Sequence, residues 1–414
     1  MRSECVRLSP AGDPAAGRPA VDVRQLGEQS GLLWSRNGLI LAGIGEAARI
    51  PVPRPHGALE AQAALRAFAG SNEFDRPATG PVAFGAWPFD RSAPGELIVP
   101  QAVFGKDDSG DAWLTTTGIG VDDALDLARA RVAERATTVQ ATTYELTAAV
   151  PPEFWRDHVV APVRDRIVAN EFNKVVLARE LVLTTDEPID IAAVLQRLNQ
   201  SFGTSIVFAV DGFIGASPEL LVSRIDEIVH AHPLAGTAPR SSDPERDGEL
   251  AAQLAVSTKD QTEHRITIDW LLNTLLPYCS YVDAEPEPAI ISLANVHHLG
   301  TRVEGRLSSP AASVLELVAA LHPTPAVGGD PQDLALAVID DVEPGDRGLY
   351  AGPTGWVDAE GNGEFAVGLR SGLIQGTTAK VWAGVGVVGD SDPVAELAET
   401  RAKFQAMLGA LVRP

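Results

Sequence analysis

The chain has 414 residues, 45% of them hydrophobic, and a mean hydropathy of +0.03, which allows a large buried core and argues against disorder. Its 33 Lys and Arg against 55 Asp and Glu give a formal charge of −22. That balance speaks against nucleic acid or an anionic membrane as partner, because phosphate binding needs a basic surface. Two cysteines, Cys5 and Cys279, make neither a disulfide framework nor a four-ligand zinc site. The opening residues lack an apolar signal core and no apolar run is long enough to cross a bilayer, so a cytoplasmic globular protein is expected.

Residues 1–20, rich in Pro, Gly and Ala, read as a loose tail. Residues 21–150 mix strand-like runs (GLLWSRNGLILAGIG, PVAFGAWPFD, GELIVPQAVFG) with helical stretches at GALEAQAALRAFAG and Asp122–Ala136. Turn signals about every ten residues favour an antiparallel sheet over βαβ units. PPEFWRDHVVAPVRDRIVANE is an amphipathic helix with Pro in its first turn, FNKVVLARELVLTT a strand, and DIAAVLQRLNQS a helix. Several strands follow through TSIVFAVDGFIGASPELLVSRIDEIVHAHPLAGTAPR, then one long helix from DPERDGEL to LLNTLLPY. TRVEGRL reads as a strand, SVLELVAALHP as a helix, and GLYAGPTGWVD, GEFAVGLRSGLI and KVWAGVGVV as strands. A last helix, DPVAELAETRAKFQAMLGAL, starts with Asp392 as N-cap and Pro393 behind it. With no linker or repeat, residues 21–414 form one large α+β domain.

Only five of the 33 cations are lysines: Lys106, Lys174, Lys259, Lys380 and Lys403. Where Arg is the default, a Lys in a special place invites a chemical explanation. Lys174 lies in an apolar strand, where desolvation favours the neutral amine that a general base needs. The alternative is an edge lysine snorkelling to water. Glu219, in GASPELL, follows a Gly-Pro turn among apolar neighbours, which suits an acid; the alternative is a strand-end carboxylate in solvent. Glu263 shares a helical face with Lys259, and Glu396 and Glu399 share one on the last helix. Carboxylates from two helices suit Mg²⁺, although ordinary pairing of Lys259 with Glu263 and Glu399 with Lys403 is the plainer reading. Gly-rich turns at 233–240, 348–356, 368–374 and 383–393 permit close backbone approach to a carboxylate, with Arg370 as a bidentate clamp. None matches a phosphate loop.

In this order, the segments FNKVVLAREL, FIGASPELLV, PLAGTAPR, STKDQTEHR, HHLGTRVEG, LHPTPAVGG, GLYAGPTGW, FAVGLRSG and AGVGVVGDSDPVAELAET resemble the chorismate-utilising enzymes over about residues 150–411. The resemblance implies one domain of two packed antiparallel β-sheets flanked by helices, with a deep site between them. It implies Mg²⁺ on Glu263 and Glu399, with Glu396 close by. Substrate carboxylate contacts fall on Arg370, Tyr350 and the backbone of Gly384 and Gly386, while Gly236, Thr237 and His298 line the ring pocket. Lys174 with Glu219 is similar to the pair in members that add water at C2 of chorismate: Lys174 activates the water and Glu219 protonates the departing C4 hydroxyl. Chorismate is thus the expected partner, isochorismate for menaquinone or siderophore synthesis the expected product, and a monomer or weak homodimer the expected state. Neither Lys174 nor Glu219 is expected to pack in the core.

Overall fold

The computed structural model describes residues 1–8, 21–54, 56–133 and 141–412. Local signals act where the sequence puts them. Asn37 and Gly38, at φ of 47° and 84°, close the hairpin of Leu32–Arg36 and Leu39–Ile44, as a two-residue primed turn demands. The described strands form a 13-stranded, a nine-stranded and a three-stranded sheet. Pairing is antiparallel except where Ser3–Leu8 meets Ser71–Asn72. The third sheet, absent from the two-sheet expectation, joins Leu234–Pro239, Val296–Gly300 and Ala289–Ser292.

The two large sheets pack face to face. Trp34, Phe208 and Phe213 of the 13-stranded sheet share one apolar cluster with Phe84, Trp356 and Ala366 of the other. On the far side of the larger sheet, helices Ile191–Phe202 and Pro393–Val412 set Leu195, Leu198, Phe404 and Met407 against Leu183, Ile214 and Val381. Helix Val314–Leu321 is apolar nearly all round and correspondingly buried, with Val314, Leu315, Leu317, Val318 and Leu321 shielded from water. Its Ser313 and Glu316 form a reciprocal capping box.

Three local features depart from the sequence reading. Ser3–Leu8 is not loose: it pairs with Ala112–Thr117 and buries Cys5, while residues 9–20 lie outside the described residues. The helix from Pro152 to Val168 contains a π turn at Arg156–Val160, just before Pro162, which has no N–H to donate. The long helix is two, Pro244–Val256 and Thr258–Leu275. Ser257 stands between them in extended conformation, and its hydroxyl caps the second by accepting from Asp260 N–H. A serine that satisfies an orphan amide this way gives the backbone an alternative to continuing one helix. The restart turns Lys259, Asp260 and Glu263 toward the sheets.

Trp356 is fully buried between the large sheets. Trp356→Ala is expected to cost about 3–5 kcal/mol, the range for deleting a core aromatic, measured as a lowered denaturant midpoint at unchanged slope.

Candidate active site

The site lies where strands of all three sheets converge with two helices. Strand Lys174–Thr185 pairs with Thr378–Val387, in a register that sets Val176 opposite Gly386 and Ala178 opposite Gly384. Glu219 precedes strand Leu220–Ile225, and the bulged ladder of the small sheet sets Thr237 opposite His298. Glu263 comes from helix Thr258–Leu275, Glu396 and Glu399 from Pro393–Val412. These residues surround a cavity of about 90 Å³. That is well below the ~300 Å³ of a usual small-molecule pocket, so a ligand requires side chains to give way.

Of the twelve residues singled out from the sequence, eleven line the cavity; Lys174 lies behind the lining. Its side chain is fully buried, with Nζ 2.8 Å from Glu263 Oε1. Burial pushes the Glu263 carboxyl up, but Lys174, reinforced by Lys259 and Lys403, outweighs it and holds the group below its usual range. Glu219 behaves oppositely. Only 2% exposed, it is pushed up to about 8 by burial, against the pull of Lys174, the Leu234 amide and Arg370. Lys174 and Glu219 therefore both sit in the core, contrary to the sequence expectation, because sheet and helix close over them on every side.

Arg370 is buried in the left-handed region at φ 50°, a conformation costing an L-residue about 1–2 kcal/mol. Its Nη2 meets His298 Nε2 at 2.9 Å. His298 Nδ1 faces the Gly236 carbonyl at 3.0 Å, and a carbonyl can only accept, so Nδ1 carries the proton and Nε2 accepts from Arg370. Burial and the Arg370 charge pull His298 well below its ordinary value, in keeping with this neutral tautomer. Arg370 Nε is buried without a partner among the described residues, a donor that an anionic oxygen would satisfy. Tyr350 stacks on Trp382, with centroids 6.1 Å apart. A Cβ on Gly384 would lie 3.0 Å from the Tyr350 hydroxyl, close enough that one of the two would have to give by a few tenths of an ångström.

The acidic wall is more crowded than the sequence reading anticipated. Burial and the Glu399 charge push Glu396 up to about 7, and burial raises Asp260. Glu399 pairs with Lys403 at 2.6 Å, as the plain reading expects, but Glu263 pairs with Lys174 and leaves Lys259 facing Glu396 at 3.8 Å. Among the described residues no group of three or more His, Cys, Asp or Glu converges tightly enough to hold a metal by itself. Sequence reasoning missed Lys259, Asp260, Val327 and Lys403 as lining residues. The signal was present: three of the five lysines meet here.

Fold and cavity together define an α+β enzyme domain of two large packed sheets and one small one, whose closed site combines lysines, carboxyls and one buttressed arginine. The chain belongs to the chorismate binding enzymes, whose family model matches residues 20–412. It is 36% identical over 356 residues to the isochorismate synthase MenF of Bacillus subtilis, covering 81% of this chain and 75% of that protein. With isochorismate synthase DhbC of the same organism it shares 37% over 342 residues, 80% of this chain and 81% of the relative. Among solved structures, the menaquinone-specific isochorismate synthase MenF of Escherichia coli matches at TM-score 0.80 and 25% identity, covering 99% of this chain and 94% of that one.

The Glu219 carboxyl has a consequence for stability. Between its ordinary value of 4.5 and about 8, the folded state keeps a proton that the unfolded chain has released. Its contribution is full below that window and is lost as pH rises through it. Glu219→Gln removes this loss, so the variant is expected to gain stability relative to the parent between about pH 5 and pH 8, read from denaturant midpoints. A constant difference across the window would contradict a protonated Glu219.

Proposed function

We propose that the chain is an isochorismate synthase, converting chorismate to isochorismate for menaquinone or siderophore synthesis. The observation that carries this reading is the pairing of opposite roles in one buried site: Glu219 retains a proton near neutral pH, and Lys174 Nζ lies 2.8 Å from Glu263, its only near partner among the described residues. Moving a hydroxyl from C4 to C2 takes one water in and releases one. Once Lys174 has given up its proton to solvent, its neutral amine receives a proton from the water that attacks C2, the ring double bonds shift, and Glu219 delivers its proton to the departing C4 hydroxyl. Arg370, braced by His298, offers its unpartnered Nε and fork to a substrate carboxylate, flanked by Tyr350 and the amides of Gly384 and Gly386. Gly236 and Thr237 border the ring.

Mg²⁺ fits the donor set. Glu263 and Glu399 would hold it, with Glu396 close by, and the all-oxygen, two-carboxylate supply suits an ion that keeps waters and substrate oxygens. When bound, the ion supplies positive charge that lets an anionic substrate sit among acidic side chains.

The test is product analysis with chorismate and Mg²⁺ in the absence of ammonia, where isochorismate is expected. Lys174→Ala and Glu219→Ala should each lower kcat at least about a hundredfold with the fold retained by circular dichroism. Near-normal isochorismate formation by Lys174→Ala would remove the base assignment, and salicylate with pyruvate as main products would move the reading to a salicylate synthase. For the metal, Glu399→Gln is expected to weaken Mg²⁺ binding in calorimetry, and chelator to abolish turnover. Full activity in excess chelator would exclude Mg²⁺.

A further inference from the structure

One edge of strand Lys174–Thr185 has an interrupted ladder. Tyr144–Ala148 covers Leu181–Thr185, and Gly329–Asp330 covers Lys174 and Val175. Between them one backbone bond, from the Val176 N–H to the Gly328 carbonyl at 2.9 Å, continues the ladder, and side chains then stand in for a strand. Arg347 Nη2 donates to the Val176 carbonyl at 2.6 Å, and Ala178 N–H donates to Glu343 Oε1 at 2.7 Å. Trp155 Nε1 donates to the Ala178 carbonyl at 3.2 Å. Arg347 Nη1 reaches further, donating to the Val327 carbonyl at 2.9 Å.

One guanidinium thus ties two stretches of cavity wall, at Val327 and at Val176, the latter two residues from Lys174. Glu343 holds it by both carboxylate oxygens, at 2.5 and 2.8 Å, and Phe89 lies 4.2 Å beneath it. Both side chains are almost fully buried, 3% and 5% exposed. A buried ion pair is a costly substitute for strand hydrogen bonds, and here it adds a second hold, on the Val327 carbonyl, to the backbone bond that already joins Val176 to Gly328.

The geometry points to Arg347, oriented by Glu343, as a positioning residue for the reaction: it fixes the strand end bearing Lys174 against the Val327 wall and so holds Nζ in place. This role rests on the reading of Lys174 as base. Arg347 itself does not line the cavity.

The test compares Arg347→Lys and Glu343→Gln in the parent and in Lys174→Ala, with chorismate and Mg²⁺. Lysine keeps the charge but lacks the fork that spans both carbonyls. Arg347→Lys is expected to lower kcat about tenfold or more with KM within about threefold, since small misplacement of a reacting group acts on rate. In Lys174→Ala it should cause no further loss, because no base remains to position. Should Arg347→Lys fail to fold, Glu343→Gln carries the same comparison. Equal fold-losses in both backgrounds, a loss that merely follows the folded fraction, or unfolding of both variants would overturn the role. A parent that forms no isochorismate, or a Lys174→Ala variant of near-normal rate, overturns the functional reading and this role with it, and appears before Arg347 is changed.

Discussion

The ion pair of Lys174 with Glu263 joins the first residue of a sheet strand to the second turn of a helix, and only 1% and 11% of the two side chains remain exposed. Removing each charge from water costs several kcal/mol, which their attraction offsets only in close and well-fixed geometry. Much of the surrounding structure supplies that geometry. A Cβ on Gly386 would lie 2.7 Å from Glu263 Oε1 and 3.2 Å from Lys174 Cε, so a glycine there is what lets helix and strand approach. The helix break at Ser257 aims Glu263 inward.

The same confinement sorts the carboxyls. Glu263 and Glu219 are both buried and both feel Lys174, yet one is held below its usual range and the other is pushed to about 8. The difference is contact: Glu263 touches Lys174 Nζ, while Glu219 has only the Lys174 charge without such contact, then the Leu234 amide and Arg370, against its burial. Glu396 is raised for another reason added to burial, the neighbouring Glu399 charge. A single cavity thereby holds carboxyls prepared for different work.

Local chemistry made much of this legible in the sequence. The Asp392-Pro393 helix start could be read because a cap acts within a few residues, while the Asn37-Gly38 turn and the Ser313–Glu316 box carry equally local signals that went unread. Composition made the rarity of lysine visible, and the motif order carried the family. What stayed hidden depends on distant partners. That Lys174 chooses Glu263 over solvent, that Ser257 breaks a helix, and that a third sheet brings Thr237 to His298 are decided by packing between segments far apart in the chain. The strand at Ser3–Leu8 escaped notice because its partner, Ala112–Thr117, lies across a hundred residues of intervening chain.

Trp34 donates its indole N–H to Glu364, 330 positions later, and strand Lys174–Thr185 waits for Thr378–Val387. During synthesis, then, most of the large sheet emerges with an open edge and with aromatic faces still uncovered. Such long-range pairing slows folding and leaves intermediates prone to self-association. The wall that carries Lys174 therefore joins the rest of the large sheet only once Thr378–Val387 has been made, which places the site among the late parts of the fold to close.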